Sequence, residues 1–380
     1  IRRYDSHEEA RLRDGLKPVG GDAAMKITRT CGECGVPLGI ARNLNWNANG
    51  TITQHNDPRH RLIFFESDNL DRLWKRLSEI LGVTQEHIWE VVIESKSRAT
   101  RAFLHRTLPW GVNLLARFIG YRSMISSIES QGLVMGYGKI TVGGQYPRRG
   151  RPERITVYIE DPYSLPFFCG DFKGAAEVLE RRWAAIDWQA LDSRRHQIDV
   201  TMSERRLGDE SFVLKEEIAD KPGDMSFKSC STCGTPLEMK EFVWDLEEGI
   251  IRDTRSGRRL AFFGTSGMIA VFDELAHELG ERVSDAIIEV ERENGLAALS
   301  IEEARSGYEG LRYLAAIRGL GLVTSLELAE DRMLLRMSNP SIPEYIVGLA
   351  LAVFELATGR RGRHAWSMEA DGDLMVDISS

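Results

Sequence analysis

Four of the five cysteines in this chain of 380 residues occur in two copies of one short pattern. CGECGVPL begins at Cys31 and CSTCGTPL begins at Cys230, so both read C-x-x-C-G-x-P-L. Each copy presents two thiols on one tight turn, and its glycine lets backbone N–H groups approach the sulfurs. Thiolates on such turns bind metal ions, above all zinc, which takes four ligands in a tetrahedron. One turn supplies two ligands, so each turn needs a partner.

The leading hypothesis is that the two turns meet and form a single closed site. Such a site has no open position for catalysis and would be structural. Its zinc ligands would be Cys31, Cys34, Cys230 and Cys233.

Other interpretations of the cysteines stay open. Each turn could belong to a separate metal site, with His55 or His60 completing the first, whereas His277 reads as a surface histidine on a helix. Each turn could instead be a redox pair, although Pro37 and Pro236 follow the motif rather than lie inside it. Iron, or no metal at all, is a further alternative.

The repetition extends well beyond the cysteines, and it indicates an internal duplication. RLIFFESDNLDRLWKRLSEILG, from Arg61, aligns with RLAFFGTSGMIAVFDELAHELG, from Arg259, at an offset of 198 residues. ITVYIEDPYSLPFFCG, from Ile155, parallels MLLRMSNPSIPEYIVG, from Met333, at an offset of 178 residues. The smaller second offset means that the first copy carries an insertion between these segments.

Each copy predicts the same order of elements: the cysteine turn, short strands, amphipathic helices, strands, a long apolar helix and a closing strand. The apolar residues from Leu70 to Leu81 keep helical spacing, and Gly82 is a natural helix stop. We therefore predict an α+β fold of two homologous units, each a short antiparallel sheet with helices on one face, related by pseudo-two-fold symmetry.

The predicted boundaries follow composition and repeat. Residues 1–24 are a charged tail, residues 25–205 form the first unit, residues 206–226 are a polar linker, and residues 227–380 form the second unit. Each unit begins with its cysteine turn.

From Gly249 to Ser379 the second unit resembles the vinyl-four-reductase (4-vinyl reductase, hydrocarbon-binding) domain family. The segments that carry the resemblance are GIIRDTRSGRRLAFFG, VFDELAHELGERVSDAI, RGLGLV and RMSNPSIPEYIVGLALAVFELATGR. The resemblance implies a compact α+β unit with a pocket for a small apolar ligand, often dimerised. Members often carry a cysteine cluster near the end of the domain; here no cysteine follows Cys233, so that site is not carried over. The two turns look like added zinc-ribbon elements.

The first unit is richer in aromatic residues around its last strand–helix junction, EDPYSLPFFCGDF. Aromatic side chains suit an apolar or planar ligand, but they can equally fill a core. Phe168 and Phe172 are four residues apart and share a face on a helix that starts near Pro166. The candidate ligand-binding residues are Trp110, Tyr121, Tyr163, Phe167, Phe168 and Phe172. Ile346, the counterpart of Phe168 in the second unit, is expected to lie outside the ligand site.

These features favour a ligand-binding or regulatory protein for a small apolar or planar aromatic molecule, with a structural zinc. The alternatives are an enzyme or biosynthetic accessory protein acting on a tetrapyrrole or aromatic substrate, and an assembly scaffold. No nucleotide-binding or hydrolase motif is present, so the sequence identifies no catalytic residues. A protein partner or a homodimer is possible in each case.

Charge and hydropathy restrict the expected partners and location of the protein. The 49 basic and 57 acidic residues give a net charge of −8, which argues against a nucleic-acid partner, and the basic segment at residues 147–154 reads as a solvated loop. No apolar run reaches the roughly 20 residues that span a bilayer, and no secretory signal is evident. We therefore expect a cytoplasmic protein with reduced thiols and no membrane partner.

Overall fold

The computed structural model describes residues 28–107, 122–143, 152–208 and 220–380. The predicted tail at residues 1–24 and most of the predicted linker lie outside these ranges. In the described ranges, no helix is both long enough and apolar enough to cross a membrane.

The first unit contains five helices and seven strands within its described residues. In chain order they are α1 (Leu38–Asn43), β1 (Leu44–Trp46), β2 (Ile52–Gln54), β3 (Asp57–Glu66), α2 (Asp68–Leu81), α3 (Gln85–Thr107), α4 (Arg122–Met135), β4 (Lys139–Gly143), β5 (Arg154–Glu160), α5 (Leu165–Glu180), β6 (Arg182–Ala190) and β7 (Arg195–Arg206).

The second unit follows a closely similar order. A 3-10 helix (Leu237–Glu241) stands where α1 stands in the first unit. It is followed by β8 (Phe242–Asp245), β9 (Ile250–Asp253), β10 (Arg259–Gly264), α6 (Thr265–Leu279), α7 (Arg282–Ala298), α8 (Ile301–Ala304), α9 (Gly307–Ile317), β11 (Leu322–Leu328), β12 (Arg332–Ser338), α10 (Pro343–Thr358), β13 (Arg363–Met368) and β14 (Leu374–Ser379).

The strands form three antiparallel sheets, which confirms the predicted α+β class. Each unit has its own four-stranded sheet, in the order β4-β5-β7-β6 or β11-β12-β14-β13. The remaining six strands form one sheet in the order β1-β2-β3-β10-β9-β8, so the two units share it. At its centre β3 pairs with β10, and Phe64 lies opposite Phe262. The sequence predicted separate sheets and did not anticipate this shared one.

Two tryptophan hydrogen bonds between the units form a matching pair. The Trp46 indole donates to the carbonyl of Ile317 at 3.0 Å, and the Trp244 indole donates to the carbonyl of Val134 at 3.0 Å. Each tryptophan lies on the first strand of its unit, and each acceptor lies near the end of a helix of the other unit. These bonds satisfy half-buried indole N–H groups and hold each helix end against the shared sheet.

Two close backbone contacts between the units are matched in the same way. The Gly321 amide donates to the carbonyl of Gly50, and the Gly138 amide donates to the carbonyl of Gly249. Gly50 and Gly249 have φ values of +78° and +69°. A Cβ on Gly50 would lie 2.3 Å from the Gly321 carbonyl oxygen, and a Cβ on Gly249 would lie 2.5 Å from that of Gly138. Only glycine fits these two turns.

The packing of α2 follows the predicted helical spacing. Leu70, Leu73, Trp74 and Leu77 are buried, and the helix ends at Gly82 with φ +72°. The Trp74 indole donates to the Ser164 hydroxyl at 3.1 Å. The confirmed face packs into one apolar core to which helices of both units contribute.

Glu291 is a buried carboxyl group in this core, on α7. It is fully buried, and the Asn294 amide lies 3.1 Å from one of its oxygens. Burial raises the pKa of Glu291 to about 8, Glu66 adds to the rise, and the Asn294 amide, Arg258 and Arg72 oppose it. The folded protein therefore holds Glu291 protonated at neutral pH.

This shift predicts a pH-dependent stability. Between the ordinary pKa of 4.5 and about 8 the unfolded chain ionises Glu291 and the folded chain does not, so stability falls as pH rises through this window. We expect Glu291→Gln to raise the free energy of unfolding by roughly 3 kcal/mol at pH 7, and by little at pH 4. Denaturant unfolding of both proteins across this range measures the difference.

The matched control lies two residues away on the same helix. Burial opposes ionisation of Glu293, but hydrogen bonds from Arg76 and Arg72 hold its pKa below the ordinary value. Glu293→Gln should therefore lower stability at neutral pH. A Glu291→Gln protein no more stable than the parent at pH 7 would show that the carboxyl group is ionised in the fold.

Candidate metal centre and ligand cavity

The two cysteine turns have the same backbone construction. The Gly35 amide donates to the carbonyl of Cys31 at 2.9 Å, and the Gly234 amide donates to the carbonyl of Cys230 at 2.9 Å. Gly35 and Gly234 have φ values of +77° and +80°, which favour glycine. A short helical turn follows each motif and leads into the first strand of its unit. The edges of the shared sheet therefore position the two turns.

The structure brings the four cysteines of the two turns together. The Cys31 and Cys230 sulfurs are 3.8 Å apart, and the Cys34 and Cys233 sulfurs are 3.4 Å apart. All four sulfurs lie within 4.8 Å of one another. A tetrahedron of thiolates at zinc–sulfur distances of about 2.3 Å has edges of about 3.8 Å. The cluster could therefore hold a four-coordinate metal ion, with every ligand supplied by the chain.

The local electrostatics of the thiols differ. Backbone N–H groups of Cys34 and Glu33 point at the Cys31 sulfur and lower the pKa of that thiol to about 7. Burial raises the pKa of the Cys230 thiol to about 12. Four thiolates this close repel one another, and a bound divalent cation is the charge that would hold them deprotonated together.

Polar groups next to the sulfurs connect one turn to the other. The Glu33 carboxylate accepts hydrogen bonds from the hydroxyl groups of Ser231 and Thr232, both at 2.7 Å. These bonds, with that from Thr232 first in effect, lower the pKa of Glu33 to about 2. The Thr235 hydroxyl lies 3.1 Å from the Cys233 sulfur and 3.8 Å from the Cys34 sulfur. The two turns thus contact each other through the side chains of Glu33, Ser231, Thr232 and Thr235 as well as through the cysteine sulfurs.

The histidine alternatives find no support in this geometry. His55 hydrogen bonds Asn45, and the His60 ring packs on Phe103 with centroids 4.1 Å apart. His277 is exposed in the last turn of α6. Among the residues described, the four cysteines form the one group that could hold a metal ion, and no histidine joins them.

The structure places three of the predicted ligand-binding aromatics in the core, namely Tyr163, Phe167 and Phe168. Tyr163 is buried, stacks on Tyr137 at 4.6 Å, and donates a hydrogen bond to Asp171 at 2.7 Å. Phe167 is buried and stacks on Trp74 at 5.5 Å. These rings therefore pack against protein.

Phe168 and Phe172 lie on the same face of α5, as their spacing predicted, and their rings stack at 6.2 Å. Phe168 is buried and Phe172 is half-buried. Trp110 and Tyr121 lie outside the described residues. Ligand contact by the six aromatics stays a prediction.

An apolar cavity lies at the corresponding junction of the second unit. Its volume is about 90 Å³, and it lies between α9, α10 and the sheet strands β11 and β12. Ile346 lines it, contrary to the expectation that this position lies outside a ligand site. Other lining residues include Leu311, Leu314, Ala315, Val323, Leu335, Ala350 and Val353.

The sequence prediction missed this cavity because it took aromatic side chains as the sign of a ligand site. In the alignment Ile346 and Ala350 stand where the first unit has Phe168 and Phe172. Smaller side chains on the same helix face leave space that the larger rings fill. The contrast in side-chain size between the two copies was the available signal.

Comparisons with known proteins identify no family for this chain. No protein-family model and no curated protein matches the chain. Among solved structures, a mutant of T. tengcongensis H-NOX and a mutant of Cs H-NOX are each 16% identical, with TM-scores of 0.22 and 0.24. They cover 31% and 34% of this chain, and 74% and 79% of their own chains. At TM-scores this low the likeness identifies no shared fold and carries no argument about function.

Proposed function

We propose that this protein binds a small apolar molecule in the cavity of its second unit and uses a zinc ion to join its two units. The observation that carries the binding proposal is the cavity itself, whose walls are almost entirely aliphatic. Apolar cavities of about 150 Å³ lined by aliphatic and aromatic side chains take up small apolar molecules such as benzene, and the lining of this smaller cavity has the same character. The ligand would gain the free energy of removing its apolar surface from water.

The zinc proposal rests on the donor set and its spacing. Four thiols at edges near 3.8 Å, with no described histidine or carboxylate among them, are typical of a closed structural zinc site. The ligands would be Cys31, Cys34, Cys230 and Cys233, two from each unit. Such an ion would cross-link segments that are far apart in sequence.

We further propose that the two units arose by duplication of a vinyl-four-reductase-like domain and are related by a pseudo-two-fold axis. The paired tryptophan and glycine contacts support this proposal, because each of these four bonds has a counterpart in the reverse direction. An axis through the shared sheet would pass between β3 and β10 and bring the cysteine turns together.

The metal proposal predicts one zinc ion per chain. Elemental analysis of protein purified under reducing conditions should give one equivalent, and Cys31→Ser and Cys230→Ser should each abolish it. Because metal binding energy is folding energy at such sites, each variant should lose about 3 kcal/mol of stability or more. Hydrogen exchange should show faster opening in both units.

The fifth cysteine supplies the control. Cys169 is buried in α5, away from the cluster, so Cys169→Ser should keep one zinc per chain. Two zinc ions per chain, or none in metal-replete buffer, would contradict the shared site. Loosening confined to the unit that carries the substitution would contradict its role as a joint.

The cavity proposal predicts that benzene binds and that filling the cavity prevents it. Ala350 is a small residue in the cavity wall, and Ala350→Leu should weaken benzene binding at least tenfold by occupying the space. Carbon-13 labelling of methionine methyl groups provides the readout, because Met333 and Met337 line the cavity and should shift on titration.

The same substitution at Ala365, an exposed residue of β13, is the matched control and should leave binding unchanged. Met202, in the first unit, should not shift. If neither benzene nor any other small apolar molecule moves Met333 or Met337, the binding proposal fails and the scaffold alternative stands. Shifts centred on Met202 would instead favour a ligand site in the first unit.

A further inference from the structure

Two charged side chains interrupt the otherwise apolar wall of the cavity. Glu66 ends β3, and Arg318 follows the last residue of α9. Arg318 Nη1 donates to Glu66 Oε1 at 2.6 Å, and both side chains are largely buried, with exposed fractions of 13% and 5%. A buried ion pair in an apolar wall is costly to desolvate, so it marks a polar position in the site.

The backbone fixes the position of this pair. The Phe64 amide, on β3, donates to the carbonyl of Arg318 at 2.9 Å. The Trp46 indole donates to the preceding carbonyl, that of Ile317. Strands of the first unit therefore hold the charged end of a cavity built by the second unit.

The mutual bond of the pair uses one atom from each partner. It leaves Glu66 Oε2 as an acceptor and Arg318 Nη2 as a donor. Within the described residues, neither side chain has a polar atom that is fully buried without a hydrogen-bond partner. Both side chains line the cavity, so these remaining atoms are the ones that a polar group at its end could reach.

We propose that the ligand is a short aliphatic alcohol, with its apolar tail among the aliphatic side chains and its hydroxyl on the Glu66–Arg318 pair. A hydroxyl group has one donor and two acceptor positions, so it can donate to Glu66 and accept from Arg318 together. The pair is already neutral, so a charged head group would add an unpaired buried charge. The aliphatic tail matches walls in which Phe65 is the one ring among the described lining residues. This inference rests on the proposed cavity function.

The test compares 1-butanol with n-pentane, which has the same number of heavy atoms. Both are titrated into the full chain and followed by the methyl signals of Met333 and Met337. The quantity of interest is the ratio of the two dissociation constants, in the parent and in a Glu66→Gln, Arg318→Met double variant. We expect the preference for the alcohol to fall about tenfold in the double variant, the scale of one hydrogen bond to a charged group. Pentane affinity should change little.

Each outcome separates the two proposals. If pentane binds and the alcohol preference is the same in both proteins, the hydroxyl site is wrong while the cavity function stands. If neither molecule binds the parent, the cavity function fails and the head-group assignment fails with it. Butanoate or butylamine binding the parent more tightly than 1-butanol would overturn a neutral head group. Should the double variant not fold, Glu66→Gln alone, which keeps the side-chain shape, should reduce the alcohol preference, and an unchanged preference would refute the site.

Discussion

The pairing of β3 with β10 is the interaction on which the rest of this structure depends. It joins the central strands of two units in one antiparallel register, and it buries Phe64 against Phe262 with ring centroids 4.3 Å apart. Once this register is set, each unit's first strands reach the helix ends of the other unit. The indole and glycine contacts between units then follow from geometry, because backbone groups buried at such a junction need partners.

The same pairing explains how cysteines 199 residues apart come to lie 3.8 Å from each other. Each turn precedes the outer strands of the shared sheet, and aromatic residues of that sheet pack in the same apolar cluster as Cys31 and Cys230. Both turns pack on this cluster, and an ion bound by the four sulfurs would hold them together. A metal at this position would stabilise long-range contacts whose loop-closure entropy is otherwise unfavourable.

The two units use similar frameworks for different interiors. At the strand–helix junction of the first unit, aromatic rings fill the space, and Asp171 accepts hydrogen bonds from Tyr163, Thr100 and Lys96. At the matching junction of the second unit, aliphatic residues leave a cavity, and the charged groups are restricted to Glu66 and Arg318. The contrast comes from side-chain volume: large rings fill the junction of the first unit, and smaller aliphatic residues leave a cavity at that of the second.

The sequence by itself determined the local structure. Apolar spacing predicted α2, the Gly82 stop and the shared face of Phe168 and Phe172, because these depend on residues close together in the chain. The cysteine repeats predicted one four-thiol cluster, because turns of this kind provide two ligands each and the chain offers two of them.

Tertiary structure alone decided how the units combine and where space remains. The shared six-stranded sheet depends on β3 and β10 being close in space, and nothing local in either strand specifies that partner. The cavity exists because Ile346 and Ala350 are smaller than the phenylalanine rings at the matching positions of the first unit. Its walls come from helices and strands that are far apart in the chain. Packing of this kind is a property of the assembled interior, so a pattern of residue types along one segment could not reveal it.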